Sequence, residues 1–123
     1  MNKNSLYAFY GSLRKDMSNY ELYKEAMVYL YSVHLKGFKL YSMGEYPCIV
    51  KSDTDKTIVA EVVKITNPVI EKEIHDMEIE EGYFYDEVTI QNDQVGIYLY
   101  NAIENFIEVK EGDWVTFFRQ NKQ

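Results

Sequence analysis

Three carboxylates stand close together at Glu78, Glu80 and Glu81, immediately before Gly82. A carboxylate suits a site that must take a proton from one atom and return it to another. Glu78 and Glu81 are three apart and share a helical face, while Glu80 points elsewhere. Far earlier in the chain, an apolar, aromatic run ends abruptly in Tyr10-Gly11-Ser12-Leu13-Arg14. Gly11 lets the backbone turn and approach a ligand with no Cβ in the way, which frees the amides of Gly11, Ser12 and Leu13 to point at an anion. Each pattern also has a plainer reading, since acids at a helix end are commonly just solvated and strand-then-glycine loops are commonly structural turns. Acids near a helix C-terminus face the negative end of its dipole, a mild cost that argues for a purpose in at least one of them.

The elements that must position these residues are readable in outline. A strand from about Ser5 to Tyr10 feeds the glycine loop. Ser18-Asn19-Tyr20-Glu21 has the spacing of a capping box, opening a helix to about Met27 whose positive end would lie near the loop. Strands follow at Val28 to Val33, Phe38 to Met43 and Cys48 to Lys51, with Gly37 marking a bulge or bend and Gly44-Glu45-Tyr46-Pro47 turning the chain. Ile58 to Ile65 carries apolar groups on both faces and reads as the central strand. Thr66-Asn67-Pro68 starts a second helix and Gly82 ends it, so Glu78 and Glu81 fall on its last turn or just beyond. Tyr85 to Ile90 and Val95 to Tyr100 form a hairpin about Gln91-Asn92-Asp93-Gln94. After Asn105 the chain offers Glu111-Gly112-Asp113-Trp114, a turn that folds Trp114, Val115, Phe117 and Phe118 back over the sheet. Strands with a helix inserted between them argue for an α+β domain around a curved or barrel-like mixed sheet, with two main helices.

Composition narrows the function. A chain of 123 residues is most simply one domain spanning 1–123, and its 46% hydrophobic and 27% charged residues are ordinary for a folded globular protein. The net charge of −7, from 20 acidic and 13 basic residues, leaves no broad basic face for a phosphate backbone, so nucleic acid is not an expected partner. The 12 tyrosines exceed what a core this size needs and place hydroxyls at a surface or pocket wall. Cys48 is the one cysteine, which excludes an internal disulfide and suggests a reducing compartment; in Pro47-Cys48-Ile49-Val50 it reads as a small core residue. The N-terminal apolar run is too short for a signal peptide, and no segment approaches the roughly 20 apolar residues of a membrane span. The expectation is a cytoplasmic protein; oligomeric state is left open.

Together, Tyr10 to Arg14 and Met77 to Gly82 resemble the two motifs of the gamma-glutamylcyclotransferase-like (AIG2-like) family. The first motif is tyrosine-glycine-serine or threonine followed by leucine and often arginine; the second is an apolar residue, an acid, two variable residues and glutamate-glycine. Between them the family commonly carries a glycine-aromatic strand and a tyrosine-proline turn, matched by Gly37 to Tyr41 and Gly44 to Pro47. The resemblance runs from about Tyr7 to Tyr100. It implies a small, closed or nearly closed β-barrel flanked by helices, and an enzyme that cyclises a gamma-glutamyl amide to 5-oxoproline with release of the amine.

By this resemblance Glu81, just before Gly82, takes the place of the catalytic glutamate. One carboxylate would serve as base and then acid, with no cofactor and no metal. The amides of Gly11, Ser12 and Leu13 would hold the substrate α-carboxylate, Tyr10 would wall the pocket, and Tyr98 would face the same cavity. Arg14 is assigned to the substrate beyond the scissile bond, since the loop amides already account for the α-carboxylate. Leu13-Arg14 stands where the glutathione-metabolising branch has asparagine, which places the chain with the short branch that includes gamma-glutamylamine cyclotransferase. Glu78 stands where aspartate is more usual.

Three other readings compete. Ser12, His34 and His75 can be drawn with an acid as a hydrolytic triad, but neither serine nor histidine lies in a nucleophile motif. The two histidines have no metal-ligand spacing. The third alternative, a non-catalytic module binding a small carboxylate on the same framework, fits the same residues.

Overall fold

A computed structural model of the chain describes residues 2–101 and 103–121. In chain order the elements are β1 (Leu6–Phe9), α1 (Ser18–Tyr23), β2 (Met27–Lys36), β3 (Phe38–Ser42), β4 (Pro47–Lys51), β5 (Thr57–Ile65), α2 (Pro68–Glu80), β6 (Phe84–Ile90), β7 (Asp93–Leu99), β8 (Ile107–Glu108) and α3 (Trp114–Asn121). A 3-10 turn at Lys24–Ala26 ends the first helix early, short of Met27. The architecture is α+β, with three helices and mixed sheets.

The strands form two sheets, ordered β2-β5-β1-β7-β6 and β4-β3-β8. β1 occupies the middle of the first, antiparallel to β5 (Phe9 opposite Glu61) and parallel to β7 (Tyr7 opposite Gly96). The interior strand β5, expected at the centre, is second from one edge. Its two faces are both covered, Ile58, Ala60 and Val62 packing into one apolar cluster and Val63 and Ile65 into another. Burial on both faces gives any interior strand the same apolar signature, so pattern alone does not rank it.

No closed barrel forms. Gly37, at φ +91°, turns the chain from one sheet into the other between β2 and β3, so these strands do not continue one ladder. Near the site the sheets approach where the Tyr100 amide donates to the Ile49 carbonyl (2.9 Å), one bond where a closed barrel needs a ladder. The register irregularity lies instead in β2, between Tyr29 and Tyr31.

The second helix starts as its sequence dictates: the Asn67 side chain accepts from the amides of Val69 and Ile70, and Pro68 takes the first position. The capping box at Ser18 does not form, because Ser18 lies inside α1 and Met17 occupies the cap. The β6–β7 hairpin is tighter than expected, a two-residue loop at Gln91 (φ 50°) and Asn92 (φ 71°), with Ile90 opposite Asp93. Both central residues take the left-handed conformation that such a loop requires. At the C-terminal end β8 joins β3, and the first residue of α3, Trp114, is fully buried in the larger core. Among the described residues no helix is long and apolar enough to cross a membrane.

Candidate functional site

The last turn of α2 is fixed by a Schellman motif. Gly82 takes φ +97°, its amide donates to the Ile79 carbonyl, and the Tyr83 amide reaches back to the Glu78 carbonyl, both at 3.1 Å. Only glycine takes this conformation without strain. A second clamp comes from the residue just after β7: the Tyr100 hydroxyl donates to the Glu81 carbonyl at 2.8 Å. Glu78 and Glu81 therefore leave a rigid helix end, and both reach the same cavity, of about 180 Å³.

Facing them is the loop after β1. The Gly11 carbonyl accepts the Arg14 amide (2.9 Å), and the Ser12 carbonyl accepts the amides of Asn19 and Tyr20 (both 3.0 Å). Those first-turn amides of α1 are thus occupied by the loop and are not offered to a ligand. The amides of Ser12 and Leu13 enter no hydrogen bond among the described residues, whereas the Ser12 hydroxyl accepts from the Asn19 side chain at 2.7 Å. Gly11 is required for space: a Cβ there would meet Cγ of Pro47 at 2.6 Å. The β3–β4 turn, with Met43, Tyr46 and Pro47, closes that side of the cavity.

Tyrosines form most of the remaining wall. The Tyr10 hydroxyl donates to the Tyr98 carbonyl (2.6 Å), Tyr83 donates to the Pro47 carbonyl, and the Tyr98 hydroxyl bonds Nδ1 of His75 (2.7 Å). Burial pushes the phenols of Tyr10, Tyr83 and Tyr98 up, as does the negative charge of Glu78. They stay neutral in ordinary buffers. Glu78 itself is pushed up to about 8, first by burial and then by the charge of Glu81. It is half-buried along the cavity wall, while Glu81 is exposed at the mouth. The arrangement can hold an anion on backbone amides, and two carboxyls of unequal burial stand ready for proton transfer.

A family model for gamma-glutamyl cyclotransferase, AIG2-like, matches residues 7–116. The chain belongs to this family. Solved structures share the fold. An uncharacterised protein from Pyrococcus horikoshii has a TM-score of 0.77 at 21% identity, over 96% of this chain and 98% of that one. Protein ytfP from Escherichia coli gives 0.70 at 22%, over 89% and 96%. YkqA from Bacillus subtilis gives 0.70 at 27% identity, covering 99% of this chain but only 43% of its own. No protein of curated function matches the sequence significantly. Membership in the AIG2-like family suggests a cyclotransferase-type function.

Of the residues that the sequence singles out, Tyr10, Gly11, Ser12, Leu13, Glu81 and Tyr98 line this one cavity. Arg14 does not. It turns the other way, its Nε on Glu61 (3.1 Å) and its terminal nitrogen on Asp113 (2.8 Å), and ties the loop to β5 and to the start of α3. Glu80 also lies outside the lining. The triad is not assembled: the hydrogen-bond partner of the Ser12 hydroxyl is Asn19, His75 is bonded to Tyr98, and His34 is exposed on β2. Cys48 is fully buried, which pushes its thiol up to about 11. Among the described residues no group of three or more histidines, cysteines or acids is placed to hold a metal. Sequence reasoning gave no site role to Glu78, Tyr83 or Tyr100, all in the wall. The spacing of Glu78 to Glu81 was the available signal; the tyrosines had none beyond their number.

Proposed function

We propose that this protein is a gamma-glutamyl cyclotransferase that converts a gamma-glutamyl amide to 5-oxoproline and a free amine. The observation that carries the reading is the meeting, across one cavity, of the unoccupied Ser12 and Leu13 amides with the carboxyl-bearing end of α2. The loop amides would hold the substrate α-carboxylate, which brings the α-amine towards Glu81. Glu81 removes a proton from the α-ammonium, and the freed amine attacks the γ-carbonyl of the same molecule. Because the attack is intramolecular, a pocket that keeps the glutamyl chain bent gains an effective molarity on the order of 10⁵ M or more. The C–N bond to the departing amine then breaks as that nitrogen takes up a proton. The chemistry needs no protein nucleophile and no cofactor.

The test is release of 5-oxoproline from a panel of gamma-glutamyl amines and peptides, glutathione included. Turnover of at least one member is the expected result. Saturable binding with no product from any of them would replace the enzyme with the small-carboxylate binding module.

A further inference from the structure

We propose that Glu78 is a second catalytic residue, the acid that protonates the departing amine, so that the acid and base work of the cyclisation is divided between Glu78 and Glu81. The inference rests on the cyclotransferase reading and deepens it. Its geometry begins with the cavity wall, which contains two carboxyls and no lysine, arginine or histidine. Every tyrosine that presses on Glu78 has its hydroxyl engaged elsewhere: Tyr10 on the Tyr98 carbonyl, Tyr83 on the Pro47 carbonyl, Tyr98 on His75 and Tyr100 on the Glu81 carbonyl. The nearest arginine to the loop, Arg14, is paired with Glu61 and Asp113. Among the described residues, then, nothing stabilises a charged Glu78, and its carboxyl has no hydrogen-bond partner.

Two carboxyls on one helical face with no cation between them do not both ionise readily. The half-buried one, Glu78, keeps its proton, held by burial and by the charge of the exposed Glu81 beside it. The groups facing Glu78 from the packed elements are Tyr10 beyond β1, Tyr98 of β7 and Tyr100 just after it, Tyr83 after α2 and Glu81 beside it, with Cys48 of β4 behind the tyrosines; burial raises all of these phenols and the thiol. Of these groups, Glu78 is the one whose raised value, about 8, lies near the neutral range. Unlike poise in paired carboxyls is what assigns one as acid and the other as base.

The protons balance. Glu81 takes the first proton from the α-ammonium, and the neutral amine forms the ring bond to the γ-carbon. Glu78 gives its proton to the departing nitrogen as the old C–N bond breaks, then takes the second proton from the ring nitrogen. Glu81 returns its proton to the released amine, which leaves as ammonium. Both side chains end as they began.

The experiment compares a gamma-glutamyl alkylamide, whose basic nitrogen needs a proton to depart, with a gamma-glutamyl nitroanilide, whose nitrogen is weakly basic and needs one far less. Glu78→Gln is expected to lower kcat on the alkylamide by about 10²-fold or more and on the nitroanilide by well under a tenth of that. Glu81→Gln should depress both, and Glu78→Asp should restore part of the alkylamide rate. In the wild type, kcat/KM on the alkylamide should fall above about pH 8, with no such limb on the nitroanilide. An equal loss on the two substrates, or none on the alkylamide, overturns the assignment while leaving the cyclotransferase intact. A wild type that forms 5-oxoproline from neither overturns the cyclotransferase reading and this one with it. Should Glu78→Gln not fold, carboxyl-carbon NMR of the wild type decides the same point: Glu78 must titrate near 8, and titration near the ordinary 4.5 overturns the proposal.

Discussion

Gly11 and Pro47 are packed so closely that a β-carbon on the first would lie 2.6 Å from Cγ and 3.1 Å from Cδ of the second. Gly11 does not take a positive φ, so its place demands room and not an unusual backbone. Gly11→Ala is expected to lose about 1–3 kcal/mol, the range of overpacking in a filled site. Pro47→Ala removes both obstructing atoms. The cost of the double variant should therefore fall short of the sum of the two single costs by about 1 kcal/mol or more, measured by urea unfolding of the four proteins. Strict additivity would show that the proline ring is not what excludes a side chain at Gly11. Ser12→Ala, by contrast, loses only the contact to Asn19 and should leave ligand affinity nearly unchanged.

Arg14 carries a different expectation from the one its motif suggests. Arg14 and Glu61 are each 8% exposed, and among the described residues Glu61 has only the Lys15 amide (2.7 Å) as its other partner. Arg14→Ala leaves that carboxylate buried and poorly compensated, a loss of about 3–5 kcal/mol. Arg14→Lys should recover little, because a single ammonium does not reproduce the fork that spans Glu61 and Asp113. Burial alone would raise the Asp113 carboxyl, but Arg14 and the Thr116 amide outweigh it and hold it below its usual range. Asp113 thus contributes stability above its ordinary pKa and loses it as the pH falls through the lowered one. Urea unfolding of Arg14→Ala measures the first effect. KM for leaving groups of either charge should not distinguish Arg14→Lys from the wild type.

How much of this was legible follows from what each residue depends on. The cap at Asn67-Pro68 and the stop at Gly82 rest on local backbone chemistry, and both stand where the sequence puts them. The Tyr10 to Leu13 loop and Glu81 belong to motifs whose spacing is itself the message. Arg14 misled because its side chain is claimed by Glu61 and Asp113, acids far away in the chain and in no motif. Barrel closure depends on hydrogen bonds at the sheet edges, which strand patterning does not encode. Glu78 reads like any helix-end acid until the tyrosines from β1, β7 and the α2 exit are folded around it. The tail after Asn105 gave little beyond a turn and a cluster of aromatics, because a two-residue strand and a short helix have too few positions to show a period.

Glu81→Gln keeps the shape of the side chain and removes the base. Turnover of any accepted substrate should drop by about 10² or more, with affinity for 5-oxoproline largely kept, as followed by product release and by calorimetric titration. Glu80→Gln is the control, since Glu80 is exposed and outside the cavity lining. A Glu81→Gln variant close to wild-type turnover would remove Glu81 from the mechanism.

Glu78 gives the final prediction, which concerns stability and needs no substrate. Its folded pKa is about 8 against 4.5 for the free side chain. Between those values the native state holds a proton that the unfolded chain has released, so stability falls as the pH rises, by at most about 1.4 kcal/mol per pH unit. Below the lower value both states are protonated, and above the upper one both are ionised; in each range this contribution is flat. Glu78→Gln has no proton to release. Its stability relative to the wild type should therefore climb through the window between the two pKa values and level off beyond it. Urea unfolding of the two proteins at a pH below, within and above the window reads this directly. A difference that stays constant across all three would mean that Glu78 titrates as an ordinary surface carboxylate, with the cavity exerting no hold on its proton.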